Sequence, residues 1–274
     1  MRQQRWSADF KFGVALAGCI VALSLASFVY TPYDYNAMNA AGRFAPPEAA
    51  HLMGTDNFGR DIFSRVMIGG RYTLLVSLLT VLGSAIIGST LGLLSGYMGK
   101  AWDEALMRLM DALSAFPSIL LALVMVSLMN AFGGNSQQSQ GALIIALLIL
   151  FIPSYARVMR TGMLQYKNAD FALMVTLMGA SHFRVIFVHI LPNLTPSLLS
   201  ATVLGLSNAI LAEATMSYLG LGIQPPLPSW GRMLSESQNF LFNAPWCALF
   251  PGLMIMLTVI AFHAIGEGIR QHYC

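Results

Sequence analysis

A chain of 274 residues, 56% of them hydrophobic and only 10% charged, carries too little charge for a water-soluble domain, in which about a quarter of residues are charged. Its net charge of +3 is small and follows the placement of Lys and Arg around apolar runs, which sets nucleic-acid binding aside. The three cysteines, Cys19, Cys247 and Cys274, form neither a disulfide framework nor a spaced metal site.

Six apolar runs approach the length of about 20 residues that a helix needs to cross a bilayer. They are Phe12–Tyr30, Tyr72–Tyr97, Pro117–Phe132, Gly141–Tyr155, Leu198–Leu219 and Ala248–Ile265. Arg2, Arg5 and Lys11 precede the first run as in a signal peptide, but that run is long enough to span and five more follow it, so it reads as an uncleaved first helix. In the second, Gly83, Gly88 and Gly92 form a small-residue stripe suited to close helix approach. Runs three and four are short and must borrow flanking residues, with Gly133 to Gly141 as the polar turn between them.

Placing the amino terminus inside puts Arg2, Arg5, Lys11, Lys100, Arg108, Arg157, Arg160, Lys167, Arg184 and Arg270 on the cytoplasmic face, and leaves Arg43, Arg60, Arg65, Arg71 and Arg232 outside. The bias of Lys and Arg towards cytoplasmic loops then favours both termini inside. The fold class expected is an all-α polytopic membrane protein of about six transmembrane helices. Residues 1–71 would form the first helix with an outer-face segment, and residues 72–270 a core of about five helices.

On the inner face, Gly99 to Pro117 carries Asp103, Glu104, Arg108 and Asp111 at helical spacing and is expected to pack beside the segment that precedes run five. Its "GYMGK" is no phosphate loop, because Leu94 stands where the first Gly belongs and Ala101 follows the Lys. That preceding segment is too long for a turn and too apolar for a solvated linker. It begins with a short helix, in which Asp170 complements the start and Gly179 ends it, while Phe171, Met174, Leu177 and Met178 share one face. "HFRVIFVHILP" then suggests a further turn of helix that Pro192 interrupts. The apolar face suits either a lipid surface or a groove on a partner protein.

Glu213 is the one acid deep in an apolar run. A charge at a helix centre costs about 2.5 to 3.5 kcal/mol, against about 0.3 to 0.6 gained per Leu or Ile. It is expected to face the bundle or a wet cavity, on a polar inner face shared with Asn208, as either an interhelical hydrogen-bonding group or part of a pathway. After it, Gly220, Gly222, Pro225, Pro226 and Pro228 forbid a regular helix. The broken backbone is either a loop that closes a pore or a packed turn, with Trp230 as an interfacial anchor.

Three motifs carry a family resemblance. "HILPN", His189 to Asn193, with Gly179 ten residues before it and Asp170 at the acidic position, resembles the cytoplasmic loop of permease subunits of binding-protein-dependent ABC importers. Leu52 to Val76, with its Gly-Thr-Asp, Gly-Arg-Asp and Ser-Arg elements, and Ala212 to Leu234 resemble one of the two permeases of oligopeptide, dipeptide and nickel importers. Where relatives often read Glu-Ala-Ala-Arg, this chain has Leu173 to Thr176, "LMVT".

The resemblance implies that loop 161–196 between helices four and five forms a coupling helix that fits a cleft on a cytosolic ATPase. The residues concerned are Asp170, Phe171, Met174, Leu177, Met178, Gly179, His189, Pro192 and Asn193. It implies two ATP-binding cassette subunits that hold ATP and Mg, a second homologous permease, an extracytoplasmic substrate-binding protein, and a place in the bacterial cytoplasmic membrane. The chain itself would be a non-catalytic pore subunit without a cofactor, importing peptides, nickel or metal chelates. Asn208, Glu213, Gly220, Gly222 and Trp230 are then candidates for pathway or gate. Asp56, Arg60, Asp61 and Arg65 either dock the binding protein or pair among themselves. The alternative is an ion-gradient transporter working without an ATPase, which would need more deep ionisable groups than Glu213.

Overall fold

The structure, a computed structural model, describes residues 7–131 and 136–273. Arg2, Arg5, Cys274, the end of run three at Phe132 and residues 133–135 of the expected polar turn lie outside the described residues. The architecture is almost wholly helical: α1 (Ala8–Ala26), α2 (Ile62–Met98), α3 (Lys100–Ala115), α4 (Ser118–Ala131), α5 (Ser136–Tyr166), α6 (Asp170–Leu177), α7 (His182–Arg184), α8 (Leu191–Tyr218), α9 (Trp230–Ser237) and α10 (Trp246–Tyr273).

Among the described residues, five helices are long and apolar enough to cross a membrane, or six if the pair formed by α3 and α4, bent by 92°, makes one broken span. The third run is short, as its sequence implies: the described part of α4 has 14 residues, about 21 Å of helix against a hydrocarbon core of about 30 Å. The second run starts earlier than expected: α2 begins at Ile62, ten residues before Tyr72, and runs unbroken through residues 71 and 72. Asp61 explains the early start, since its Oδ2 accepts from both the amide and the hydroxyl of Ser64 at 2.8 Å and so caps the helix.

α2 and α5 form the most extensive packing in the fold, and the glycine stripe makes it possible. A Cβ on Gly88 would stand 2.6 Å from the Ile152 carbonyl oxygen, and one on Gly92 would run into that of Ala156. Ser84 adds an interhelical hydrogen bond to the Leu148 carbonyl at 3.0 Å. α3 packs on α5 through Met110, which clusters with Ile152 and Ala156, and the Arg160 guanidinium donates to both Asp103 oxygens at 2.5 and 2.6 Å. α3 thus has its seat on the carboxyl-terminal half of α5, which leads into the segment before run five.

Pro192 does not interrupt the helix. α7 passes through a π-helical stretch, Val185–Ile190, directly into α8, and the Leu191 amide reaches back five residues to the Ile186 carbonyl. The wider hydrogen-bond register accommodates a residue that has no donor of its own.

α2 therefore sets the long dimension of the molecule, its 37 residues measuring about 55 Å. At its carboxyl end Gly96 accepts from Lys167 Nζ at 2.8 Å, and Tyr97 Oη lies 2.6 Å from His182 Nδ1. At its amino end it meets the loop from residue 31 to 61, α9, and the start of α10, where Trp246 Nε1 donates to the Thr55 carbonyl. The start of α1 lies beside the end of α10, since a Cβ on Gly268 would touch Phe10 at 2.7 Å. Both ends of the described chain are consequently on the α6 side of the bundle.

Candidate functional site

The segment between α5 and α8 is a short amphipathic element anchored at one face and bare at the other. α6 starts at Asp170, whose carboxylate sits in the first turn, where the helix dipole favours negative charge. It ends in paired backbone bonds: the Gly179 amide donates to the Thr176 carbonyl at 3.0 Å and the Ala180 amide to the Val175 carbonyl at 3.2 Å. This closure needs a left-handed residue, and Gly179 has φ +83°. Ala172 is 1% exposed and joins Leu93, Met159, Met163, Val185, Ile186, Ile190 and Leu194 in one apolar cluster. The opposite face leaves Met174, Leu177 and Met178 at 66, 88 and 86% exposure, with Phe171 also exposed. His189 is half-buried and Pro192 and Asn193 are exposed, and Asn193 Nδ2 donates to the His189 carbonyl at 2.7 Å. The segment thus has a rigid seat and an unfilled apolar face of Met and Leu.

At the other end of α8, Glu213 is wholly buried. Its Oε1 accepts from the Ser217 hydroxyl at 2.6 Å, and that hydroxyl in turn accepts from the Ile223 amide at 3.2 Å. The acid therefore holds the first turn of the broken backbone, in which Gly220 takes φ +82° and a Cβ on Gly222 would run into Ser217. Four of the five pathway or gate candidates, Glu213, Gly220, Gly222 and Trp230, come together here. Asn208 does not. It is exposed, and five residues along a helix place it about 140° away from Glu213, so the two share no polar face.

Trp230 is not an interfacial anchor but a core residue, 0% exposed. Its Nε1 donates to the Val66 carbonyl at 2.9 Å and its amide contacts Thr73 Oγ1 at 3.4 Å. With the indole N–H satisfied, burial of the large ring is favourable.

The charged cluster at the start of α2 is likewise turned inward. Asp56, Arg60, Asp61 and Arg65 are 9, 5, 4 and 2% exposed. Arg60 Nε donates to Asp56 Oδ2 at 2.6 Å, and Arg60 and Arg65 converge on Glu236 Oε2 at 2.9 and 3.1 Å. Arg232 reaches the other oxygen of Glu236 at 3.3 Å, and Asp61 Oδ1 lies 2.9 Å from His51 Nδ1. Of the two readings of these four residues, docking or mutual pairing, the burial favours pairing: Asp56, Arg60 and Arg65 meet opposite charge within the chain, and Asp61 caps α2. Glu236 escaped the sequence reading. Its spacing from Arg232 signals a helical pair, but nothing local points to arginines 171 and 176 residues away.

Comparison with known proteins fits this geometry. The chain is 40% identical over 260 residues to the dipeptide transport system permease protein DppC of Alkalihalophilus pseudofirmus, covering 94% of this chain and 83% of that one. It is 37% identical to the glutathione transport system permease protein GsiD of Pectobacterium atrosepticum, over 97% of this chain and 88% of that one. A solved structure of the MetNI methionine ABC transporter in an inward-facing conformation is similar in fold, with a TM-score of 0.60 at 19% identity, covering 74% of this chain and 94% of that chain. Residues 88–272, from the glycine stripe of α2 through α6 to the end of α10, match the family model described as binding-protein-dependent transport system inner membrane component. On that match and those identities, this multi-pass membrane chain belongs to the family of binding-protein-dependent transport inner-membrane components.

Proposed function

We propose that the chain is the permease subunit of an ATP-driven importer of short peptides in the bacterial cytoplasmic membrane. It pairs with a second homologous permease and takes its energy from two cytosolic ATPase subunits, on which ATP and Mg bind. The observation that carries the reading is α6: a helix pinned by Ala172 and closed by Gly179, with Met174, Leu177 and Met178 directed away from the chain's own core. A cleft on an ATPase fits that face, and flexible Met side chains adapt to such a cleft. Switching follows if the ATPase pair binds one permease conformation better than the other.

Peptide cargo is supported by the dipeptide and glutathione systems of the relatives. At the opposite end, the buried Asp56–Arg60–Arg65–Glu236 cluster keeps rigid the surface that receives an extracytoplasmic binding protein, and the Glu213–Ser217 pair holds the adjoining loop. The test is a single cysteine at Met178 in a chain whose own cysteines are replaced, cross-linked in membranes that contain the partner subunits, alongside uptake of a labelled dipeptide. A cross-link to the ATPase, and loss of uptake when Met174 and Met178 are both changed to Asp at normal membrane abundance, are expected. Absence of the cross-link together with unimpaired uptake would overturn the reading.

A further inference from the structure

Between α1, α2, α8 and α10 lies a cleft of about 560 Å³. Leu25, Leu75, Leu78, Leu206, Ile210 and Phe262 form its apolar walls, and Arg71 is the one charged residue on its lining. The Arg71 guanidinium donates through Nη2 to the Ser27 carbonyl at 3.0 Å, at the end of α1, and stands 4.1 Å from the centre of the Phe28 ring. Its Nε is buried and has no hydrogen-bond partner. Arg60, Arg65 and Arg232 are matched by Asp56 and Glu236, whereas Arg71 forms no ion pair among the described residues.

The hydroxyl of Ser24, on the same cleft, is also buried without a partner. It lies level with the cation, because a Cβ on Gly70 would strike it. A second unpaired hydroxyl, that of Ser77, sits six residues further along α2, about 9 Å deeper. The cleft therefore has a polar, cationic end and an apolar shaft running along the helices, and Leu25, Leu75 and Leu78 leave its side open at 57, 51 and 43% exposure.

An unpaired cation with a free N–H is costly beside apolar walls. Guanidinium pairs well with a phosphate, through charge-assisted hydrogen bonds of directed geometry. We propose that this cleft binds one anionic phospholipid, with its headgroup phosphate on Arg71, an ester oxygen within reach of Ser24, and an acyl chain along Leu75, Leu78 and Phe262. A phospholipid supplies a counter-charge for the half-buried guanidinium and apolar length for the shaft. An apolar helix from another subunit would cover the shaft but leave Arg71 without a counter-charge. The inference requires only that the helices span a bilayer, so it stands apart from the identity of the cargo.

The intact transporter, reconstituted in nanodiscs of phosphatidylcholine with or without phosphatidylglycerol, tests it by native mass spectrometry of the retained lipid. Wild type is expected to hold phosphatidylglycerol in preference to phosphatidylcholine. Arg71→Gln should weaken that retention about fivefold, which corresponds to about 1 kcal/mol for one cation beside anionic lipid. Leu78→Trp, which fills the shaft and leaves the cation in place, should displace the lipid even if the Arg71 variant fails to assemble. Equal retention of both lipids by wild type, or of phosphatidylglycerol by wild type and a folded Arg71→Gln protein, overturns the proposal. So does efficient cross-linking of a cysteine at Leu78 to the second permease, which would identify a protein occupant.

Discussion

Replacing Glu236 by Ala is the sharpest test of the reading of the charged cluster. In the folded chain one oxygen of Glu236 accepts from Arg60 at 2.9 Å and Arg65 at 3.1 Å, and the side chains of those arginines are 6 and 2% exposed. Removing the acid leaves two buried guanidinium groups to share Asp56. Two hydrogen bonds to charged groups at about 1.5 to 3 kcal/mol each suggest a loss of about 3 to 6 kcal/mol. Breaking a buried ion pair from one side costs about 3 to 5. Because the Glu236 side chain is itself 20% exposed, water hydrates part of what is uncovered and the lower end applies, about 3 kcal/mol. In thermal unfolding of the detergent-solubilised protein this corresponds to a midpoint lowered by the order of 10 °C. The double variant Glu236→Leu, Arg65→Met removes the more deeply buried of the two arginines with its partner and should recover part of the loss, because Arg60 still keeps Asp56. A single variant that melts within about 2 °C of wild type, less than the shift from about 1 kcal/mol, would refute the reasoning: the arginines would then be hydrated, and the cluster would hold nothing together.

Three further outcomes follow from other parts of the chain. Gly179→Val places a β-branched residue at φ +83° with open space around its Cβ, so the loss is backbone strain of about 1–2 kcal/mol. Uptake should fall at normal membrane abundance, and hydrogen exchange should show faster opening at the end of α6 alone. Gly92→Leu drives a side chain into the backbone of α5 at Ala156, and overpacking of about 3 kcal/mol or more should remove most folded protein from the membrane fraction, as judged by size-exclusion of a fluorescent fusion. Ser217→Ala breaks the link from Glu213 to the Ile223 amide. A cost of about 1–3 kcal/mol for the unsatisfied groups should appear as faster proteolysis or exchange in residues 219–229, while the α6 end remains protected.

How much of the fold and the site is legible in the sequence depends on whether the deciding interaction is local. Asp170 and Gly179 mark the limits of α6 because a helix start and a left-handed stop are settled within a few residues of chain. The breaks at Gly220 and after were legible for the same reason. The apolar runs located each of the five long spans among the described residues, and the shortness of the third run was legible in its 16 residues, of which the described α4 holds 14. Trp230 has the composition of an interface residue. It is buried because Val66, 164 positions earlier, offers a carbonyl to its indole, and no window of sequence contains both.

Pro192 is instructive in the opposite sense, since its local rule is sound and its consequence was drawn too far. A proline removes one amide from the helix ladder, and the chain answers by lengthening the register at Val185–Ile190 rather than by ending the helix. What preserves the helix is tertiary: Val185, Ile186, Ile190 and Leu194 lie on both sides of Pro192 and are all buried in the cluster that also seats Ala172. A break at Pro192 would pull that cluster apart, and several buried aliphatic side chains at about 1.5–3 kcal/mol each outweigh the loss of a single backbone hydrogen bond. His182 to Tyr218 is consequently one continuous helix, and α6, which ends at Gly179, is tied to it by the packed cluster around Ala172 rather than by the helix ladder.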